Sequence, residues 1–127
     1  MAKVKQFTVA LENRPGRLAH VAEVLAGAKV NVLAVLGSTA GQQGSVQVVV
    51  DNANKARKAL AGAGLAYTEG TLEQFELPNK PGALAQLAGK LAKKGINIDC
   101  AYATVHKSAK KAVVVLGTSK AGEMGGA

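Results

Sequence analysis

The sequence has few of the residues on which catalysis and metal binding usually depend. It contains one cysteine, Cys100, two histidines and no tryptophan, and only 3% of its 127 residues are aromatic. A single cysteine excludes an internal disulfide and a cysteine metal cluster. No nucleophile elbow, phosphate-binding glycine loop or acid–base setting around a histidine is recognisable. We therefore predict that the chain is not an enzyme and that it uses no cofactor and no metal.

The scarcity of aromatic residues also weighs against a nucleic-acid-binding function, although the charge favours one. Lys and Arg number 16 against 8 Asp and Glu, so the formal net charge is +8. A basic chain can bind nucleic acid, an anionic membrane or an acidic ligand. Single strands, however, are usually bound by stacking on aromatic side chains, and the basic residues here are scattered. Solvated surfaces explain them better, so nucleic-acid binding is kept only as an alternative.

Long apolar runs are missing as well. No stretch of about 20 apolar residues, the length that crosses a bilayer, occurs in the sequence. The N-terminal residues lead directly into a strand pattern, without the features of a signal peptide. We expect a cytoplasmic protein that does not contact membranes.

What the sequence does contain is an internal duplication. One motif occurs twice, 66 residues apart, as Asn13-Arg14-Pro15-Gly16-Arg17-Leu18 and as Asn79-Lys80-Pro81-Gly82-Ala83-Leu84. The match continues without a gap, and Val30-Asn31-Val32 aligns with Ile96-Asn97-Ile98 at the same offset. Such a repeat predicts two similar structural units, which we place at residues 1–70 and 71–127.

The hydrophobic pattern predicts an α+β fold built from two ferredoxin-like βαββαβ units in tandem. Periodicity predicts strands over about 3–12, 30–38, 45–50, 65–70, 71–77, 96–105 and 111–117. It predicts helices over about 15–28, 53–61 and 81–94, the second capped by Asp51 or Asn52. The apolar stripes of the first and third helices are Leu18, Val21, Ala22, Leu25 and Leu84, Leu87, Ala88, Leu91. Residues 119–127 occupy the place of the second helix in this unit but are too rich in glycine to form one. Since no residues remain for a fourth strand, we expect the second unit to lack its last strand.

The repeated turn is a candidate anion site. Proline fixes its own φ, glycine allows a close approach of a ligand, and asparagine is a strong N-cap. A helix that starts directly after such a turn presents free backbone N–H groups to a carboxylate or a phosphate. The alternative, that the motif only begins a helix, stays open for each copy.

The second strand is apolar on both faces. Val30, Val32, Ala34 and Leu36 alternate with Leu33 and Val35. An exposed edge of this kind invites association with another strand. Together with the truncated second unit, it predicts a homodimer.

These residues resemble the ACT domain, a small regulatory module of enzymes in amino-acid metabolism. The resemblance rests on residues 11–18 followed by Val30-Asn31-Val32, on the second copy of the same marks, and on a likeness to the serine-binding regulatory domain of phosphoglycerate dehydrogenase around Glu12-Asn13-Arg14-Pro15-Gly16. It implies that units pair through their second strands into one antiparallel sheet with helices on one face. It also implies that an amino acid binds where two units meet.

Carried over position by position, the resemblance implies a set of ligand-binding residues. The turn contributes Asn13, Arg14, Gly16, Arg17 and Leu18 in the first copy and Asn79, Lys80, Gly82, Ala83 and Leu84 in the second. A second asparagine at the start of strand two, Asn31 or Asn97, completes each site, unless it only caps the turn there. The serine-binding domain has a histidine where this sequence has Leu11 and Leu77, so a less polar amino acid than serine is at least as well suited.

We therefore interpret the chain as an amino-acid-binding regulatory protein. Its effect would pass through assembly or through a separate enzyme or transporter. The alternatives are a nucleic-acid-binding protein of the same fold and an oligomerisation module without a ligand.

Overall fold

The structure is a computed structural model that describes residues 2–118, so the predicted glycine-rich tail at 119–127 lies outside the described residues. Its elements are β1 (Ala2–Glu12), α1 (Arg17–Gly27), β2 (Val32–Ala40), β3 (Gln43–Val50), α2 (Ala53–Gly62), β4 (Tyr67–Pro78), α3 (Ala83–Lys93), β5 (Ile98–Ala103) and β6 (Lys111–Thr118). The predicted α+β class with two ferredoxin-like units is confirmed.

The chain divides into two compact units. The first is Lys5–Gly70, and the second consists of residues 71–118 together with residues 2–4. The second unit therefore includes the start of the chain. The predicted lack of a last strand in this unit concerns residues after 118, which lie outside the described residues. The predicted strands at 65–70 and 71–77 are in fact the single strand β4. The prediction of two separate strands was wrong, because the single glycine Gly70, followed by Thr71, does not turn the chain.

In the first unit the strands follow the order β2-β3-β1-β4, so β2 lies at an edge. β1 and β3 are antiparallel, with Phe7 opposite Val48 and Val9 opposite Val46. The buried core beneath this sheet contains Phe7, Val9, Val21, Leu25, Val46, Ala56 and Leu60. The Tyr67 ring, 5.6 Å from that of Phe7, extends the core toward β4.

In the second unit the order is β4-β6-β5, all antiparallel, and β5 forms an edge. Phe75 lies opposite Val114 across the β4–β6 pair. The buried core contains Phe75, Leu87, Leu91, Ile96, Val114 and Leu116. Tyr102 is half-buried and lies opposite Val115, whereas the core residue Val114 lies opposite Ala103, so Tyr102 is on the face of β5 away from this core.

The apolar stripes of α1 and α3 differ from the prediction. In α1 the buried residues are Val21 and Leu25, whereas Leu18 is 53% exposed and Ala22 is exposed. In α3 the buried residues are Ala83, Leu87 and Leu91, whereas Leu84 is 59% exposed. The core-facing positions follow an i, i+4, i+8 line, and a residue one position further along points about 100° away. Leu18 and Leu84 are consequently free to contact something other than the core.

The second helix begins as predicted. Asn52 is its N-cap, and the side-chain oxygen accepts a hydrogen bond of 3.0 Å from the Lys55 N–H. Among residues 2–118, the helices are too short or too polar to cross a bilayer.

Candidate functional site

The two copies of the Asn-x-Pro-Gly turn have nearly the same backbone conformation. Gly16 and Gly82 are the N-caps of α1 and α3, in the left-handed region with φ of 89° and 87°. The prediction that Asn13 and Asn79 cap these helices was wrong. The left-handed glycine reverses the chain, so each helix begins after the turn and no side chain caps its first N–H groups.

The two asparagines instead attach the turn to the neighbouring hairpin. The Nδ2 of Asn13 donates to the carbonyl of Gly41 at 2.9 Å, and its backbone N–H donates to Gln42 at 2.8 Å. Asn79 repeats this arrangement, with Nδ2 donating to Ala109 at 2.8 Å and the N–H donating to Lys110 at 2.9 Å. The motif therefore does more than begin a helix, because it holds the helix start against the sheet.

Each helix start leaves backbone donors free. Within residues 2–118, the N–H groups of Leu18 and Ala19 in α1, and of Leu84 and Ala85 in α3, donate to no acceptor of the chain. Free N–H groups at the positive end of a helix attract an anion such as a carboxylate. The same donors are thus presented in both units.

A cavity adjoins each turn. The first pocket, about 260 Å³, is lined by Leu11, Glu12, Asn13, Arg14, Arg17, Leu18, Gly37, Ser38, Thr39, Gly44, Ser45 and Val46. The second pocket, about 510 Å³, is lined by Leu77, Pro78, Asn79, Lys80, Ala83, Leu84, Ala101, Tyr102, Ala103, Ala112 and Val114. Each pocket lies between the end of one strand, the start of a helix and the adjoining hairpin of its own unit.

The pockets differ in polarity. In the first, Glu12 and Arg14 form an ion pair of 3.0 Å, and the Nε of Arg17 is buried without a hydrogen-bond partner among the described residues. In the second, burial raises the pKa of Tyr102 to about 12. The described residues contain no cluster of side chains suited to a metal ion.

Most of the predicted site residues line these pockets, but Gly16, Gly82 and the second asparagines do not. Asn31 precedes β2, whereas the first pocket lies near Ser38, roughly 20 Å along an extended strand. The Asn31 N–H donates to Asp51 Oδ1 at 3.0 Å, and Asn97 Nδ2 donates to Asp99 Oδ1 at 2.8 Å. Within one unit, therefore, the two predicted asparagines are not brought together.

The repeated motif did not identify the hairpin residues that line both pockets. Ser38 and Ser45 in the first unit, and Tyr102 and Ala112 in the second, line the cavities. The repeat offset alone could not identify them, because the hairpin sequences differ between the copies.

The edge strand β2 carries exposed apolar side chains. Leu33 is 58% exposed and Val35 is 55% exposed. The register of β2 is irregular between Val32 and Ala34, and beyond this point Val35 lies opposite Val48 of β3. The structure thus leaves uncovered the strand that we predicted to be paired.

Solved structures share this fold. A protein from Bacteroides thetaiotaomicron is 32% identical, with a TM-score of 0.89 over 96% of this chain and 83% of the other. The ligand-free regulatory subunit of aspartate kinase from Thermus thermophilus is 17% identical, with a TM-score of 0.69 over 96% of this chain and 87% of the other. The corresponding subunit from Thermus flavus is 18% identical, with a TM-score of 0.64 over 97% and 90%.

Sequence comparison gives the family. The chain has no match among curated proteins. Residues 2–124 match the model of the ACT domain pair. This match confirms the resemblance drawn from the two Asn-x-Pro-Gly motifs. The chain therefore belongs to the family of ACT domain pairs.

Proposed function

We propose that this protein binds an amino acid at its turn pockets and regulates a partner in response. The observation that carries the proposal is the duplicated arrangement of a left-handed glycine, an uncapped helix start and an adjoining cavity. ACT domain pairs are regulatory and non-catalytic, which supports a role in sensing rather than in chemistry.

The ligand's main chain suits these groups. Its carboxylate accepts from the free N–H groups at the start of the helix, such as those of Leu84 and Ala85. Its ammonium group needs oxygen acceptors, and the amide oxygen of Asn79 remains available because Nδ2 makes the bond to Ala109. Leu84, exposed beside the cavity, then covers the ligand.

A second copy of the chain would complete the first site. β2 is an edge strand with exposed Leu33 and Val35, so it can pair with β2 of another copy. In an antiparallel pair, the start of one strand lies beside the end of the other. Asn31 of a second copy then approaches the first pocket, which Asn31 of the same copy does not reach.

Regulation requires that the ligand binds one state of the protein more tightly than another. A ligand held between two copies does so, because it binds the paired state and not the separate chains. Regulatory subunits of aspartate kinase share the fold. We propose that the regulated partner is an enzyme or a transporter of amino-acid metabolism.

Calorimetric titration with each of the proteinogenic amino acids tests the binding function. We expect at least one to bind more tightly than about 1 mM, or roughly −4 kcal/mol. The double variant Asn13→Ala/Asn79→Ala should weaken that binding at least about tenfold, which corresponds to about 1.4 kcal/mol. The matched control Asn54→Ala, on the exposed side of α2, should bind as the wild type does.

The absence of any such binding by the folded protein would refute the proposal. If the double variant remains folded and keeps every activity of the wild type, the chain is an oligomerisation module without a ligand. Salt-dependent binding of single-stranded RNA, in place of an amino acid, would support the nucleic-acid alternative.

The pairing through β2 is tested separately. We expect sedimentation to show a dimer for the wild type and a monomer for Leu33→Glu/Val35→Glu, because carboxylates on the edge strand oppose burial and repel their counterparts. Val113→Glu is the control, since Val113 is also exposed but lies on β6, which has a strand on each side. If the variant Leu33→Glu/Val35→Glu is still a dimer, the dimer contact does not involve β2.

A further inference from the structure

The two pockets occupy equivalent places but do not offer equal space. The first has about half the volume of the second, 260 Å³ against 510 Å³. The main difference on the helix side is Arg17, whose equivalent in the second unit is Ala83. On the sheet side, strand register makes Gly44 of the first unit equivalent to Ala112 of the second, so this position does not narrow the first pocket. The larger side chain of Arg17 on the helix side accounts for the smaller volume.

The two pockets also differ in charge. The ion pair between Glu12 and Arg14 balances two of the charges at the first pocket and leaves the guanidinium of Arg17 as the excess cation. Lys80 is the charged side chain lining the second pocket, where most of the other lining groups are apolar.

Arg17 sets what the first pocket accepts. Its Nε is already buried and has no partner among the described residues. An apolar ligand side chain placed against it would displace the remaining water from the guanidinium without supplying an acceptor, which costs free energy. Ala83 imposes no such cost in the second pocket.

We infer that the two units have different ligand specificities: the second pocket holds an α-amino acid with a bulky apolar side chain, such as leucine or phenylalanine, and Arg17 excludes that ligand from the first pocket. This inference rests on the proposed amino-acid-binding function. A volume of about 510 Å³ with mostly apolar walls is typical of small-molecule sites, which span roughly 300–1,000 Å³. The first pocket falls below that range. The ligand's main chain uses the donors at the start of α3, and its side chain lies among Leu77, Ala112 and Val114.

The stoichiometry of binding tests the inference. Titration of the full chain with L-leucine and L-phenylalanine should show one site per chain, and glycine and L-aspartate should bind at least about tenfold more weakly at that site. Arg17→Ala should add a second site for the apolar ligand, since alanine is the residue that the second unit has at this position. The control Arg57→Ala removes an arginine from α2, which lines neither pocket, and should leave one site.

Ala112→Leu tests the second pocket without touching Arg17. Ala112 is only half-buried and lines this pocket, so a larger side chain there extends into the cavity. The added bulk should weaken binding of phenylalanine at least tenfold. Two sites per chain in the wild type, a preference for glycine or aspartate, or a single site in Arg17→Ala would each overturn the inference while the proposed function stands. No binding of any amino acid would instead refute the proposed function itself.

Discussion

Leu91→Ala should lower the free energy of unfolding by about 2–5 kcal/mol, which is the usual cost of removing a buried leucine side chain. Leu91 is fully buried in the core of the second unit, where it lies with Phe75, Ile96 and Leu116. The small unit has few other large apolar residues that could fill the cavity. Denaturant unfolding followed by circular dichroism measures the change.

Leu84→Ala is the matched control for this change, because both leucines belong to α3. Leu84 is 59% exposed, and exposed substitutions usually alter stability by no more than about 0.5 kcal/mol. Equal losses for the two variants would show that Leu84 belongs to the core, as the helical periodicity had predicted. A loss confined to Leu91→Ala supports the assignment of Leu84 to the ligand or to a partner.

Gly82→Ala and Gly89→Ala should change stability in opposite directions. Gly82 has a φ of 87°, a conformation that costs a residue with a Cβ about 1–2 kcal/mol. The space around Gly82 is open, because an alanine Cβ at this position would have no neighbouring atom within 4 Å. The cost therefore comes from the backbone conformation alone. Gly89 lies inside α3, also in open space, and alanine there should stabilise the helix by about 1 kcal/mol.

Thermal unfolding of the two variants beside the wild type gives the comparison, and Gly82→Asn refines it. Asparagine tolerates the left-handed region better than alanine does, so it should recover part of the loss. Ligand affinity should fall in Gly82→Ala, because a shifted turn moves the N–H groups at the helix start, and should stay unchanged in Gly89→Ala. A stabilising Gly82→Ala would mean that the turn does not need its left-handed glycine.

Local sequence signals predicted much of the fold. The repeated motif located both turns, the alternation of Phe7, Val9 and Leu11 located β1, and Asn52 was one of two candidate caps for α2. Each of these depends on residues that are close together in the chain. The boundary within β4 could not be predicted in this way, because the alternating pattern is the same whether the chain turns or continues past Gly70.

The candidate site was predicted less completely than the fold. The turn residues Asn13 and Asn79 were found, but their roles were not, since their side chains donate to the carbonyls of Gly41 and Ala109 in hairpins far along the chain. The helical stripe also assigned Leu18 and Leu84 to the core. Periodicity identifies an apolar stripe but not how far the sheet beneath it extends.

The sequence by itself determined that the chain consists of two related ferredoxin-like units, each with a glycine-containing turn before a helix. Those features follow from backbone preferences and from hydrophobic periodicity, which act locally. Only the tertiary structure decided that Arg17 narrows one pocket while Ala83 opens the other, and that β2 leaves Leu33 and Val35 exposed at an edge. These outcomes depend on which distant segments pack together, because the size and polarity of a cavity are set by all of its walls at once.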